Sequence, residues 1–415
     1  MNSRERVLAA IEHRTPDKVP LDLGATPSSG ISAIAYFKLL KYLGRSDLPV
    51  RVYDVVQELA IPDETLLDAF GADVIDIGRA FDNSPTEWRD LELPGGWKVQ
   101  YPYMYQPTRR DDDLFFYDAE NTLIAQRPAG ATFFDQRYFP YLDGYPEDFS
   151  HLPRAMEKVL WSALVHSPWN YSANDSFWTE LRARAIRMRE TTDRAIIIVA
   201  GCNLFEWGTF LRRMDNFLMD LLTEPEEVER LLDALLEIHL ATLEKVCDAV
   251  GDVADIIRFG DDLGHDLGTF MSPEVYRTLF KPRHAQLVDY VRKHSSMKTF
   301  LHSCGSVYAI IPDLIDVGYD ILNPVQTSAR DMEPTKLKKE FGKDICFWGG
   351  GIDTRTVLNS GTPSEVRKQV LERLEVFSEG SGFVFNTVHN ILPDVPPENI
   401  IAMYKAVAEF NGSVM

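Results

Sequence analysis

The chain is short of cysteine, of basic charge and of long apolar runs, and each shortage narrows what it can be. Four cysteines in 415 residues, Cys202, Cys247, Cys304 and Cys346, are too few for a disulfide framework and point to a reducing compartment. Lysine and arginine number 43 against 63 acidic residues, a formal net charge of -20, which argues against nucleic acid or an anionic membrane as partner. No run of about 18 apolar residues is present to cross a bilayer. The opening Met1-Asn-Ser-Arg-Glu-Arg has no signal core behind it, so the expectation is a cytoplasmic protein. The remainder is ordinary globular composition, 45% hydrophobic and 26% charged, enough for a sizeable core.

Hydrophobic periodicity resolves the chain into alternating strands and helices. Strands are expected at 19–24, 72–78, 195–201, 255–260, 299–301, 320–323, 345–349 and 382–386. The run Ala195-Ile-Ile-Ile-Val-Ala-Gly201 has the pattern of a strand buried on both faces. Helices fit the gaps, among them 225–250, where Val228, Leu231, Leu235, Ile238 and Val246 form one stripe. Eight strands alternating with helices is the count of a (β/α)8 TIM barrel, read here as one domain over 1–415. Residues 80–170 break the rhythm. They are rich in aromatics, Pro, Gly and Asp, and segments such as Trp97-Lys-Val-Gln-Tyr101 and Leu114-Phe-Phe-Tyr117 read as hairpins of an antiparallel insertion after the second strand. Its aromatics suit a local core, or a wall over an apolar ring substrate.

Barrel chemistry gathers where strands end. The expected strand ends carry Asp22, Cys202 with Glu206, Asp261 with Asp262, His302 with Cys304, Asn323 with Gln326, Asp353 and His389. Residues i and i+2 of a strand share a face, so His302 and Cys304 point the same way. An imidazole and a thiolate aimed together suit zinc. His389, just past the eighth strand, is the candidate third ligand, with Cys346 as its rival inside the seventh. An open fourth position is left for substrate or for a loosely held Gln326, Glu206 or Asp262. Glu206, Asp261 and Asp262 are the candidate catalytic acids and bases, the aspartate pair competing with a capping role before Pro273. Asp22, Asn323, Gln326 and Asp353 are candidate contacts for a bound substrate or partner ligand. Gly350, within Gly349-Gly-Gly351, marks either close approach of such a ligand or a plain turn.

Several segments resemble the uroporphyrinogen decarboxylase superfamily, and specifically its cobalamin-dependent methyltransferase branch. They are Ser3-Arg-Glu-Arg-Val-Leu-Ala-Ala-Ile-Glu-His13-Arg-Thr-Pro-Asp-Lys-Val-Pro20, Gly260-Asp-Asp-Leu-Gly264 with Ser272-Pro-Glu, and His302-Ser-Cys-Gly305. Trp348-Gly-Gly-Gly-Ile-Asp353 and His389-Asn-Ile-Leu-Pro-Asp-Val-Pro-Pro-Glu-Asn399 complete the set. The resemblance implies a (β/α)8 barrel, and zinc held by the His-x-Cys pair with a further cysteine near strand eight. Here His389 stands in that cysteine's place. Decarboxylases of the superfamily meet their substrate carboxylates with an arginine-rich segment after the first strand, whereas Leu23 to Tyr36 contains no arginine. The branch implies methyl transfer involving a corrinoid. This chain has no Asp-x-His-x-x-Gly corrinoid motif, so the corrinoid is expected on a separate protein. An aryl methyl ether is the favoured methyl donor, with methylation of a zinc-bound thiol as the alternative, and a non-catalytic scaffold for a tetrapyrrole or corrinoid partner as a third. Glu229, Glu244 and His265 are spaced like a signature proposed for ether-cleaving members. They cannot share one ion, since the two glutamates lie about 22 Å apart along a single helix at 1.5 Å per residue.

Overall fold

The computed structural model describes residues 1–78, 87–161, 164, 166–169 and 171–413. Seven strands follow one another in a single sheet in the order Phe383–Val384, Cys346–Trp348, Ile321–Asn323, Lys298–His302, Ile256–Gly260, Ala195–Gly201 and Val74–Asp76. The paired registers are parallel, and helices separate successive strands. The fold is α/β and TIM-barrel-like, as the alternation predicts. By contact density the chain divides into two compact units, residues 1–105, 191–197 and 320–415, and residues 106–190 and 198–319.

In the first unit, the predicted strand at 19–24 shrinks to one bridging residue. Leu21 pairs in parallel with Phe385, and its carbonyl accepts from Asp73 N at 2.7 Å. Pro20 explains the loss: it has no N–H to give a ladder, although its carbonyl still accepts from Phe385 N at 2.8 Å. The helices follow their local signals. Pro363–Ser378 opens on a Thr362/Glu365 capping box with proline in the first turn, and buries Val366, Val370, Leu374 and Phe377, spaced as one stripe.

The second unit pairs Ile256–Gly260 with Lys298–His302, Gly260 opposite His302. The long helix Pro225–Val250 buries the predicted positions Val228, Leu231, Leu235 and Val246. Two helices here, Phe205–Arg212 and Met214–Thr223, were not expected from the pattern. Gly208 disguises the first, since glycine weakens a helix, but packing requires it: a Cβ there would fall 2.1 Å from the Phe217 ring.

Hairpins occupy the predicted insertion. Trp88–Leu93 pairs antiparallel with Trp97–Pro102 in the first unit. In the second, a four-stranded sheet is built from Thr108–Arg110, Asp113–Tyr117, Leu123–Arg127 and Asp135–Gln136. Phe116 packs on Phe134 and Trp169 at ring-centroid distances of 5.0 and 5.5 Å, a local core. Residues 80–86, 162, 163, 165 and 170 of the insertion lie outside the described residues.

Candidate metal centre

The strand Lys298–His302 ends at a buried histidine, and the alternation of side chains continues for two residues beyond it. Ser303 turns away, its hydroxyl accepting from Leu263 N at 3.0 Å. Cys304 returns to the face of His302, with Sγ 3.5 Å from His302 Nε2. Asp262 organises both. Its Oδ1 accepts from Cys304 N at 2.8 Å and lies 3.6 Å from His302 Nε2. Two glycines lock the turn. Gly305 takes φ +81°, and a Cβ on it would fall 2.3 Å from the carbonyl carbon of Gly264. A Cβ on Gly264 would in turn lie 2.8 Å from Cys304 O. Only backbone against backbone fits.

The three candidate carboxylates of this unit stand in different surroundings. Asp261 is fully buried. Its oxygens accept from the N–H groups of Leu204, Phe205 and Glu206 at 3.2, 2.9 and 2.9 Å, and Oδ2 lies 3.1 Å from His284 Nε2. It therefore caps the helix Phe205–Arg212 from a distant loop. The cap expected of this pair before Pro273 belongs instead to Ser272, whose hydroxyl accepts from Val275 N at 3.2 Å. Glu206, in the first turn of that helix, accepts at Oε2 from Asn203 Nδ2 and from Asp262 N at 3.3 Å. Burial, then the charges of Asp262 and Asp261, push its carboxyl well above the usual carboxylate range. The Cys304 thiol is likewise driven well up, by burial and then by Asp262 and Glu206, with Arg258 opposing. His239 holds Asn203 in place through Nε2 on its carbonyl at 2.7 Å, and burial lowers its pKa to about 4. Cys202 is buried at φ +53° and lines a small cavity with Trp161, Trp207, Phe210, Asn203 and His239.

The other candidates lie in the first unit. Asp22 is buried and accepts from Trp348 Nε1 at 2.9 Å and Ala25 N at 3.1 Å, and burial raises its pKa to about 6. Asn323 is clasped: Oδ1 accepts from the Ser28 hydroxyl at 2.7 Å and Nδ2 donates to Trp348 O at 2.8 Å. Gln326 is buried. Gly350 has φ +80°, and a Cβ on it would meet Val325 Cβ at 2.9 Å. Asp353 accepts at Oδ1 from Arg355 N and Thr356 N at 2.7 and 3.1 Å. His389 is half-buried, its carbonyl accepting from the Thr387 hydroxyl. Cys346 is fully buried inside its strand. Glu229, Glu244 and His265 are exposed. His302 and Cys304 bring an imidazole and a thiol together at one strand end of the second unit, and His389, the candidate third ligand, belongs to the first unit. His239 and His284 have no partner spacing in the sequence and read there as surface or packing residues, and Asn203 carries no signal; their roles depend on partners far along the chain.

Three comparisons bear on this arrangement. The family model described as uroporphyrinogen decarboxylase (URO-D) matches residues 192–410. Uroporphyrinogen decarboxylase of Chlorobaculum tepidum is 27% identical over 189 residues, 45% of this chain and 50% of that protein. The enzyme of Methylococcus capsulatus is 45% identical over 98 residues, 24% and 26% of the two chains. The chain thus spans about half the length, or less, of these curated relatives. Among solved structures, a methyltransferase from Methanosarcina mazei aligns over 99% of both chains with a TM-score of 0.58 at 18% identity, a likeness of fold.

Proposed function

Because this chain belongs to the uroporphyrinogen decarboxylase family, we propose that it turns that scaffold to methyl transfer, from a methoxylated aromatic to cob(I)alamin carried by a separate corrinoid protein. One observation carries the reading: His302 Nε2 and Cys304 Sγ meet 3.5 Å apart at a strand end, fixed by backbone contacts. An imidazole and a sulfur aimed together, with His389 expected from the sequence as the third ligand, are the ligand chemistry of zinc. Charge also suits a cation. The Cys304 thiol is held protonated by burial and by Asp262 and Glu206, a bias that a divalent ion would reverse. Zinc held by these residues would supply Lewis acidity toward an ether oxygen. Decarboxylation of a polycarboxylate fits poorly, since a net charge of -20 and an arginine-free segment from Leu23 to Tyr36 oppose an anionic substrate.

The chain's own residues divide the remaining work. Asp262 holds the cysteine end of the pair by accepting from Cys304 N, and its carboxylate stands 3.6 Å from His302 Nε2, adding negative charge beside the ligand atoms. Asp261 anchors the helix start that carries Glu206. In the reaction the methyl–oxygen bond breaks with its electrons going to oxygen, cobalt's electron pair forms the new bond to carbon, and the phenolate takes up a proton. Glu206, whose carboxyl is pushed up by burial and then by Asp262 and Asp261, is assigned as the donor, and because Oε2 already accepts two N–H groups, Oε1 is the oxygen left to deliver the proton. Methylating a thiol requires a proton to be removed, so an acid here favours the ether. Asp22, Asn323, Gln326, Gly350 and Asp353 are assigned to the substrate and corrinoid side, Asn323 and Asp353 as positioning residues.

The test is to load the protein with zinc, mix it with cob(I)alamin and a panel of methoxybenzenes, and follow loss of the cob(I)alamin absorbance. His302→Ala and Cys304→Ala should lose both the metal and the turnover. Turnover with thiols alone, or full activity in metal-free protein, overturns the reading.

A further inference from the structure

The helical segment 273–294 of the second unit is not uniform. Pro282 has no N–H to give to the carbonyl of Thr278, and the chain opens a wide π-turn over Tyr276–Phe280, with Lys281 N donating to Tyr276 O. Arg283 Nη1 takes up Leu279 O at 2.5 Å. The consequence is one of register. Residues eight apart on a regular α-helix stand about 80° out of line, and one residue inserted in a wide turn reduces that to about 20°. Tyr276 and His284, eight apart, thereby share a face: the Tyr276 hydroxyl lies 3.2 Å from His284 Nδ1, and both side chains are buried. The other ring nitrogen, Nε2, meets Asp261 Oδ2 at 3.1 Å. Tyrosine, histidine and aspartate form one buried line that ends at the start of the helix Phe205–Arg212.

We infer that Tyr276 and His284 are positioning residues which, through Asp261, hold the Glu206 carboxyl in place. Asp261 Oδ2 already accepts from Leu204 N and Phe205 N, and Oδ1 accepts from Glu206 N, so the ring presents its Nε2–H to the carboxylate and leaves Nδ1 to accept from the Tyr276 O–H. Burial, then the charges of Asp261 and Asp313, raises the Tyr276 pKa well above its ordinary value, which keeps the hydroxyl a donor. Each group fixes the next. The tyrosine selects the tautomer, the ring stops the carboxylate from turning about its bond to Cβ, and the oxygens so fixed pin three successive amides. Glu206 is the last of those three, and its side chain leaves the same turn to meet Asn203 Nδ2 and Asp262 N. That Glu206 delivers a proton rests on the function proposed above; the line of side chains behind it does not.

The experiment follows deuterium exchange of the Leu204, Phe205 and Glu206 amides, with those of Ile256–Gly260 as internal reference, in the wild type, Tyr276→Phe, His284→Leu and His284→Gln. Alongside it, kcat and KM are measured for methyl transfer from methoxybenzene to cob(I)alamin by the zinc-loaded protein. Tyr276→Phe and His284→Leu should speed exchange of the three amides by about tenfold or more while the reference strand holds. They should also lower kcat by about tenfold or more with KM within about twofold, the mark of a displaced group rather than a weakened substrate site. His284→Gln, whose side-chain N–H reaches Asp261 as Nε2 does, should recover both. If His284→Leu does not fold, Tyr276→Phe carries the same comparison. Exchange at 204–206 that ignores the loss of either group, a glutamine variant no better than the leucine one, or wild-type kcat alongside faster exchange overturns the inference. A wild type that transfers no methyl group while the variants show the exchange pattern removes the proposed function and leaves the positioning role standing.

Discussion

Asp22 and His239 are both buried, and both titrate away from their usual ranges, in opposite senses. Asp22 is raised to about 6 by burial, so between the unfolded value of about 3.9 and that figure the folded state keeps a proton the unfolded chain has lost. Stability from this group is therefore present at low pH and falls by about 3 kcal/mol as pH rises through the window. His239 is lowered to about 4 by burial, so between there and about 6.5 the unfolded chain binds the extra proton. Its contribution is present above that range and is lost, also by about 3 kcal/mol, as pH falls. Asp22→Asn should gain on the wild type as pH rises from 4 to 7, and His239→Gln should gain on it as pH falls over the same range. Denaturant unfolding at the two ends reads both, and variant curves parallel to the wild type's would sink the assignment.

At the level of elements, the turn after the strand Lys298–His302 is the most exacting piece. Gly305→Ala would place a Cβ 2.3 Å from Gly264 backbone at φ +81°, and it should cost several kcal/mol. Because the same turn carries Cys304, a lower Tm should come with lost zinc on metal analysis; a variant that melts lower yet keeps its metal would separate the two. Much of this element was readable in advance. The alternation that puts His302 and Cys304 on one side is a property of extended chain, and the β-branched run Ala195–Gly201 announces a strand buried on both faces. The Thr362/Glu365 box and the proline after it likewise mark a helix start. What stayed hidden depends on distant partners. Asp261 looks like a local cap until the amides of Leu204 to Glu206 reach it. Gly208 looks like a helix breaker until Phe217 packs on it. Tyr276 and His284 look out of line, eight residues apart, until the wide turn before Pro282 brings their side chains together.

For the molecule as a whole, the acidic balance of 63 to 43 sets the terms of docking. If the corrinoid arrives on a protein partner, that partner should present a basic face, and association should weaken with salt. Methyl transfer to protein-bound corrinoid should drop about tenfold between roughly 50 and 500 mM salt, while transfer to free cob(I)alamin stays nearly level; equal sensitivity of the two would speak against an electrostatic encounter. If zinc is held as proposed, removing it with a chelator should lower Tm, since an ion that binds only the folded chain stabilises it by mass action. Leu21 has a consequence of its own. Its pairing with Phe385 and its carbonyl on Asp73 N form a seam one rung wide, where Ala195–Gly201 pairs with Val74–Asp76 along three. A pull on the amino-terminal segment would part that rung first, so the amides of Asp73 and Phe385 should exchange with deuterium ahead of those in Ala195–Gly201.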